Sequence, residues 1–312
     1  MEFNHISVLL SESVEALNIK PDGIYVDCTA GGGGHSAEIL SHLNENGKMY
    51  LFDRDPDAIK VLTERFKDDR RVNIIHDNYC NIKVALDVLG VPSVDGIVAD
   101  LGVSSFQLDT AERGFSFHND ALLDMRMSKQ GLSAKDVVNT YSEDELCRVI
   151  RDYGEEKFAK KIASNIVKAR EVKEIETTFE LSDIISNSIP AKFKRDGHPA
   201  RKTFQAIRIE VNNELGGLKA VLPDMFGLLN KDGVLAIITF HSLEDKIVKD
   251  YFATLKKGCT CPKDFPVCVC GNTPKAIVKS GGVKAGQKEL ENNKRSRSAK
   301  LRTALNYKGN TK

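Results

Sequence analysis

Short apolar runs alternate with helical patterns through the first hundred residues of this 312-residue chain. The segments between the runs place apolar side chains on one face at helical spacing, as Ile59, Leu62 and Phe66 do. Continuous apolar strands that alternate with helices are typical of a parallel sheet covered on both faces. We therefore predict a doubly wound α/β sheet, with strands at residues 24–28, 48–53, 72–76 and 94–100.

The pattern changes after residue 107. Only helical spacing is found between Ser142 and Ile189, and Ser142 with Glu145 forms a predicted capping box at the start of one helix. The α/β pattern then resumes, with a buried strand predicted over 233–239 and a final strand over 300–305. We predict a discontinuous α/β domain of residues 1–107 and 200–312, interrupted by a helical domain at 108–199.

The composition is that of a globular protein, with 41% hydrophobic and 29% charged residues. The chain does not open on a basic region followed by a long apolar run, and its longest apolar stretches are too short to cross a bilayer. We expect a cytoplasmic protein without a membrane partner. The sequence leaves the oligomeric state open, a dimer included.

Basic residues are clustered at two places, although the net charge is only +1. The first cluster is AKFKRDGHPARK at residues 191–202, and the second follows the last acidic residue, Glu291. Such clusters on a nearly neutral protein indicate a polyanionic partner. A solvated surface is the alternative interpretation.

The stretch VDCTAGGGGHS, residues 26–36, joins the first predicted strand to a helix. Such a loop offers backbone N–H groups and the positive end of a helix dipole to a ligand. A Walker A loop requires Lys-Ser/Thr after its last glycine, whereas His35 and Ser36 follow here. A dinucleotide fingerprint fits weakly, with Ala37 in place of the last glycine, so an NAD-dependent oxidoreductase stays open.

S-adenosylmethionine explains this loop better than a phosphate does. Asp27 ends the first strand and is followed, after three residues, by Gly-x-Gly starting at Gly31. Because this cofactor carries a sulfonium cation and no phosphate, its site requires close backbone approach and carboxylates. Asp53 ends the second strand and suits ribose hydroxyls, and Asp100 ends the fourth, where such sheets bind ligands. These acids predict a methyl-donor site.

The chain resembles the ribosomal small-subunit methyltransferase H family, also called MraW, over nearly its whole length. The matching motifs are HISVLL, VDCTAGGGGHS, FDRD, DLGVSSFQLD, RGFSF, LDMRM, HPARKTFQAIRIEVNNEL, ITFHSLED and NKRSRSAKLR. The resemblance implies a Rossmann-like class I methyltransferase with a mostly parallel seven-stranded sheet and a helical insertion for substrate recognition. It also implies methyl transfer to N4 of a decoding-centre cytidine in 16S rRNA, within the small ribosomal subunit. The family's cofactor contacts correspond here to Gly33, Gly34, His35, Asp53, Tyr79, Asp100 and Gln107.

The N4 amine of cytosine is a poor nucleophile because its lone pair is delocalised into the ring. A carboxylate that accepts an N4–H bond would align the amine and stabilise the charge developing on nitrogen, and Asp100 is predicted for that role. His241 either acts on the base or fills a turn while Ser242 and Asp245 cap the next helix. Methylation at C5 would instead require a cysteine at the fourth or fifth strand end, where the sequence has none. The cations predicted to bind rRNA phosphates are Arg201, Lys202, Arg208, Arg295 and Arg297.

Four cysteines lie close together near the end of the chain, namely Cys259, Cys261, Cys268 and Cys270. Four thiolates within so short a segment can close a tetrahedral zinc site and stabilise a loop with little core of its own. Their Cys-x-Cys spacing departs from the commoner CxxC pairs, so reduced thiols or occasional disulfides are the alternative. A non-catalytic zinc- and RNA-binding assembly factor is accordingly a third hypothesis for the chain.

Overall fold

The computed structural model describes residues 7–194, 197–258, 261–262, 265–267 and 269–308. The chain divides into two compact units, of which the second runs from Val103 to Glu214 and the first contains the described residues on either side of it. These boundaries differ from the predicted ones at 107–108 and 199–200. At the later boundary the reason is packing, because Phe204 and Ile207 belong to the hydrophobic core of the second unit.

A mixed sheet forms the centre of the first unit. Its strands are β1 Ile24–Asp27, β2 Lys48–Asp53, β3 Val72–His76, β4 Val94–Asp100, β5 Leu229–Thr239, β6 Ile277–Val278, β7 Val283–Lys284 and β8 Lys300–Asn306. They lie in the order β3-β2-β1-β4-β5-β8-β6, and β7 also pairs with β8. Strands β1 to β5 pair with one another in parallel, whereas β8 runs antiparallel to β5, β6 and β7.

The predicted doubly wound, mostly parallel α/β sheet is confirmed. Within the described residues it has eight strands rather than the seven expected, because the late segment adds the two-residue strands β6 and β7 along β8. Alternate residues of β1 enter different cores: Val26 joins one cluster of buried side chains and Tyr25 the other. This alternation shows that both faces of the sheet are covered.

One α-helix of the described residues precedes β1, and the others lie between the strands of the sheet along the chain. The helices are α1 Leu10–Leu17, α2 Gly34–Ser41, α3 Pro56–Arg65, α4 Ile82–Val88, α5 Ser105–Asp109, α6 Ala134–Thr140, α7 Glu143–Gly154, α8 Ala159–Val172, α9 Thr178–Ser188, α10 Arg201–Asn212, α11 Glu214–Gly227, α12 Ser242–Lys256 and α13 Gln287–Asn292. Short 3₁₀ helices occur at Tyr79–Asn81, Ala111–Arg113, Ala191–Phe193 and Lys294–Ser298. Within the described residues no helix is long and apolar enough to span a membrane.

Helices α5 to α10 build the second unit around a core of its own. Its described residues contain one isolated β-bridge, between Leu122 and Thr177, so the predicted helical character is confirmed. The capping box at the start of α7 is also confirmed, because Ser142 Oγ accepts from the Glu145 N–H and Glu145 Oε2 accepts from the Ser142 N–H. Local sequence therefore fixed where this helix begins.

Candidate active site

Four carboxylates of the first unit lie at one edge of its sheet. Strands β2, β1, β4 and β5 are parallel neighbours, so their carboxyl ends meet there. Asp53, Asp27 and Asp100 are the last residues of β2, β1 and β4, and Glu244 lies in the first turn of α12, shortly after β5. The strand order reverses between β1 and β4, the position at which doubly wound sheets bind ligands.

Asp27 anchors the glycine loop from inside the protein. Its Oδ2 accepts a hydrogen bond from Ser36 Oγ at 2.6 Å, and its Oδ1 accepts one from the Thr29 N–H at 3.1 Å. Burial raises the pKa of Asp27 to about 6, against the opposing effect of these hydrogen bonds. The carboxylate thus ties the end of β1 to the start of α2.

Asp53 holds the same loop from the neighbouring strand. Its Oδ2 accepts from the Gly31 N–H and its Oδ1 from the Asp55 N–H, each at 2.8 Å. Burial raises the pKa of Asp53 to about 6, although both N–H bonds favour the ionised form. Each oxygen retains a further lone pair, so the carboxylate can still accept from ligand hydroxyls.

Two of the glycines in the loop are required by packing within the protein. Gly33 has a φ of +77°, and a Cβ at this position would lie 2.7 Å from the ring of Phe66. A Cβ on Gly34 would overlap the hydroxyl of Ser7. At Gly31 the nearest neighbour of such a Cβ would be the Thr29 carbonyl oxygen at 3.8 Å, so there is space beside this glycine.

Asp100 is the least satisfied of the four acids. Its backbone N–H donates to Thr29 Oγ1 at 2.7 Å, but its Oδ1 is buried without a hydrogen-bond partner in the described part of the chain. Burial, followed by the charges of Asp27 and Glu244, raises the pKa of Asp100 well above its usual value. An orphaned carboxyl beside other acids is unfavourable by itself and suits a cationic ligand.

Glu244 is a site residue that the sequence interpretation did not include. It is 1% exposed, and its Oε2 accepts from the N–H groups of Phe240 and His241 at 2.9 and 3.4 Å. Its Oε1 lies 3.1 Å from His241 Nε2, within ion-pair distance. Neither ring nitrogen of His241 has a well-oriented hydrogen bond among the described residues, and both are buried.

The alternative in which Asp245 helps to cap α12 is not what the structure shows. Glu244 binds the N–H groups at this helix start, whereas Asp245 pairs with Lys300 at 2.9 Å and with Arg302. The capping signature was present in the sequence as an acid three residues after His241. This signature could have identified Glu244, the carboxylate that lies beside the ring of His241.

His35 has a structural partner inside the first unit. Its Nε2 lies 3.0 Å from the carbonyl oxygen of Val8. Burial lowers the pKa of His35 to about 4, so the ring is neutral at pH 7 and its Nε2–H donates to that carbonyl. The imidazole therefore fixes the segment before α1, and its predicted contact with the cofactor stays a prediction.

Two other predicted cofactor residues lie in different units. Tyr79 belongs to the first unit, where its partly buried ring packs against the core cluster that contains Val26. Gln107 belongs to the second unit and is 4% exposed. Its Oε1 accepts from the Ser104 N–H at 3.1 Å, and its N–H donates to Ser104 Oγ at 3.2 Å, so it caps α5.

The predicted RNA-binding cations differ in what surrounds them. Arg208 makes a two-pronged ion pair with Glu214, at 2.8 and 3.0 Å, and Lys202 Nζ donates to the carbonyl of Glu155 at 3.0 Å. The other three, Arg201, Arg295 and Arg297, are exposed. A phosphate can reach an exposed side chain without displacing the protein around it.

Two of the four clustered cysteines, Cys259 and Cys268, lie outside the described residues. The structure describes Cys261 and Cys270. In the described ranges no group of three or more His, Cys, Asp or Glu residues could hold a metal. The zinc site thus stays a prediction.

The doubly wound sheet and the carboxylates at its switch point define an S-adenosylmethionine-dependent methyltransferase. Specifically, the chain belongs to the MraW methylase family, whose model matches residues 2–306. The NAD-dependent oxidoreductase that the glycine loop left open was therefore wrong.

Curated relatives of this family cover nearly the whole chain. It is 57% identical over 304 residues to ribosomal RNA small subunit methyltransferase H of Clostridium botulinum strain Kyoto, covering 97% of this chain and 98% of the relative. The protein of the same name from Lachnospira eligens is 56% identical over 306 residues, or 97% of each chain. A proposed rRNA-methylase from Clostridium thermocellum, solved by crystallography, is 14% identical with a TM-score of 0.46, over 97% of this chain and 99% of that one.

Proposed function

We propose that this protein transfers the methyl group of S-adenosylmethionine to the N4 amine of a decoding-centre cytidine in 16S rRNA. The substrate is the small ribosomal subunit, and the reaction takes place in the cytoplasm. The observation that carries the proposal is the buried, unpartnered Oδ1 of Asp100 at the switch point of the sheet. The relatives named as small-subunit methyltransferases support the choice of RNA.

The carboxylates provide the contacts that a cationic methyl donor needs. When bound, S-adenosylmethionine supplies a methyl group activated by its positive sulfonium. Asp53 would accept the ribose hydroxyls, and Asp27 would keep the loop in place around Gly31. Further contacts are proposed from the family resemblance for Gly33, Gly34, His35, Tyr79 and Gln107.

Asp100 and His241 have separate roles in the proposed transfer. Ionised beside a cation, Asp100 would accept an N4–H bond, which turns the nitrogen lone pair toward the methyl group. Methylation leaves a positive charge on N4 until one of its protons departs. His241, whose Nε2 lies 3.1 Å from Glu244 Oε1, is an imidazole at this strand edge that would accept the proton.

A labelled-methyl assay tests the proposed function. Small subunits from a strain that lacks the enzyme should accept tritium from S-adenosyl[methyl-³H]methionine, and nuclease digestion should release the label as N4-methylcytidine. Subunits from the parent strain, whose site is already methylated, are the matched control. Label found only as 5-methylcytidine would overturn the nitrogen assignment.

A complementation experiment separates catalysis from assembly. An Asp100→Asn variant should fail to restore methylation in the deletion strain while accumulating to the wild-type level. If that variant restored the full growth phenotype without methylating the subunit, the non-catalytic assembly factor would be the better description.

We also propose that Cys259, Cys261, Cys268 and Cys270 bind one structural zinc. Cys261 Sγ accepts from the Val269 N–H at 3.3 Å, and Cys270 Sγ accepts from the Asn272 N–H at 3.5 Å. Donors of this kind stabilise thiolates around a metal. Protein purified without chelator should contain about one equivalent of zinc, and a Cys261→Ser, Cys270→Ser variant should lose it. Less than about a tenth of an equivalent in the wild type would refute the site.

A further inference from the structure

Four aromatic rings form a cluster in the second unit, outside the carboxylate site. Phe117 stacks on His198 with ring centroids 4.4 Å apart and planes inclined by 12°. The edge-on contact of Phe117 with Phe204 is 5.5 Å at 86°, and Phe204 is 3% exposed. His118 lies 4.5 Å from Phe117 and 5.8 Å from His198. The buried Phe204 thus supports Phe117, and Phe117 supports the imidazole of His198.

The imidazole of His198 is both exposed and fixed in orientation. Its Nδ1 accepts from the Ala200 N–H at 3.3 Å, so the hydrogen of the neutral ring is on Nε2. Burial and the nearby His118 both lower the pKa of His198, which keeps the ring neutral at pH 7. A neutral, flat and pre-positioned ring at the surface is the kind of group on which a nucleobase stacks.

Exposed cations lie next to this ring in the chain. Arg201 is exposed, and its Cζ lies 3.9 Å from where a Cβ on Gly197 would stand, so its guanidinium lies beside the turn that carries His198. Lys192 is also exposed, with its ammonium 5.0 Å from the ring centroid of Phe193. A stacking ring with a cation beside it, as Arg201 is here, is an arrangement by which proteins bind single-stranded nucleic acid.

We propose that Phe117 and His198 form a stacking platform for an unpaired base of the substrate RNA, with Arg201 binding a phosphate of the same strand. The inference rests on the proposed function for its partner, since a strand opened around a target base leaves neighbouring bases unstacked. The positive charge of the surrounding segment favours RNA, because residues 191–202 contain five Lys and Arg residues and one Asp. Base stacking on such a ring is tolerant of sequence, so the platform adds affinity rather than base readout.

A binding assay on the full-length protein tests the platform without requiring methyl transfer. A single-stranded RNA carrying 2-aminopurine would be titrated with wild type, His198→Ala and His198→Phe, while anisotropy gives Kd and fluorescence reports stacking. His198→Ala should weaken binding by about 5- to 100-fold and abolish the quenching, whereas His198→Phe should keep both. His42→Ala, which removes a half-exposed histidine of the first unit, is the matched control and should behave as wild type.

The role of the cation is tested by salt dependence in the same assay. Arg201→Ala should lower the slope of log Kd against log salt by about 0.7, and Arg201→Lys should restore it. Unfolding curves and S-adenosylmethionine affinity of the His198 variants should equal those of the wild type, which excludes misfolding as the cause.

Wild-type Kd and quenching in His198→Ala would overturn the platform, even if methylation proceeds. Loss of RNA binding in His198→Ala, without any methyl transfer by the wild type, would instead refute the proposed function and retain the platform. Equal loss of binding in His198→Ala and His198→Phe would also overturn it, because a stacking role requires the second variant to bind.

Discussion

The carboxylate cluster of the first unit and the ring cluster of the second differ in how they affect the stability of the folded protein. Asp100 is an acid with a buried, unpartnered oxygen, and its neighbours Asp27 and Glu244 add like charge. His198 is exposed, hydrogen-bonded and stacked. The buried acids destabilise the folded protein until a cation binds beside them, whereas the ring cluster is stable without a ligand. Substitutions at the two clusters should therefore affect stability in different ways.

The largest expected effect comes from Asp100→Asn. Removing the carboxylate should slow methyl transfer by about 10²- to 10³-fold, because a pre-positioned charge at the reacting group is lost. At pH 8 the same change should raise the free energy of unfolding, because the variant folds without having to bury or protonate a carboxylate. Initial rates and urea unfolding measure the two outcomes. Asp87→Asn, at an exposed acid of α4, is the control, and a rate loss accompanied by destabilisation would contradict the contrast.

Arg208→Ala should act on the fold of the second unit. Its guanidinium and the Glu214 carboxylate are 15% and 7% exposed, so deleting one partner leaves the other poorly solvated. We expect a loss of about 3 kcal/mol in the free energy of unfolding. The salt dependence of RNA binding by the folded fraction should stay unchanged. A smaller salt slope with unaltered stability would restore Arg208 to the phosphate-binding set.

Asp53→Asn should weaken S-adenosylmethionine binding by about 10- to 100-fold, since hydrogen bonds to a charged group contribute roughly 1.5–3 kcal/mol. RNA binding in the absence of cofactor should be unaffected, because Asp53 belongs to the first cluster alone. Calorimetric titration measures the first quantity and anisotropy the second. Unchanged cofactor affinity would remove Asp53 from the proposed site.

The pH dependence of stability should carry the signature of the buried acids. Asp27 and Asp53 have pKa values of about 6 in the folded protein and ordinary values when unfolded, so the folded state binds more protons between about pH 4 and 6. Their contribution to stability is complete below pH 4 and is lost as pH rises through 6. The part due to Asp53 is isolated by comparing the free energies of unfolding in urea of wild type and Asp53→Asn at pH 4.5 and 7. Relative to wild type, the variant should have a higher free energy of unfolding at pH 7 than at pH 4.5. The opposite change would show that the folded protein stabilises Asp53 in its charged form.

The smallest expected effect is that of Arg297→Ala. This exposed cation lies in the 3₁₀ helix before β8, and its loss should weaken RNA binding only a few-fold while lowering the salt slope by about 0.7. Stability should be unchanged, because an exposed charge contributes little. Arg297→Lys is the matched control. An unaltered slope would assign the terminal basic cluster to solvated surface.

Several site positions followed from local pattern. Asp53 and Asp100 were predicted to end strands because each is the acid at which an apolar run stops. In a parallel sheet that is buried on both faces, such an acid marks the end of the strand. The hydrogen bonds of these acids could not be predicted, since they join residues far apart in the chain, such as Gly31 with Asp53. For the same reason, the end of the second unit at Glu214 differs from the predicted end at residue 199. Nothing local to α10 reveals that Phe204 packs into the helical core.

The sequence by itself determined the α/β alternation, the glycine loop and the family, because these depend on residue type and short spacing. Only the tertiary structure decided which acids are already satisfied. Ser36 and Thr29 occupy the oxygens of Asp27, whereas Oδ1 of Asp100 has no partner among the described residues. It likewise decided that Phe117 and His198 meet. Hydrogen bonding and stacking depend on distances between atoms that the chain order does not specify, and folding sets those distances.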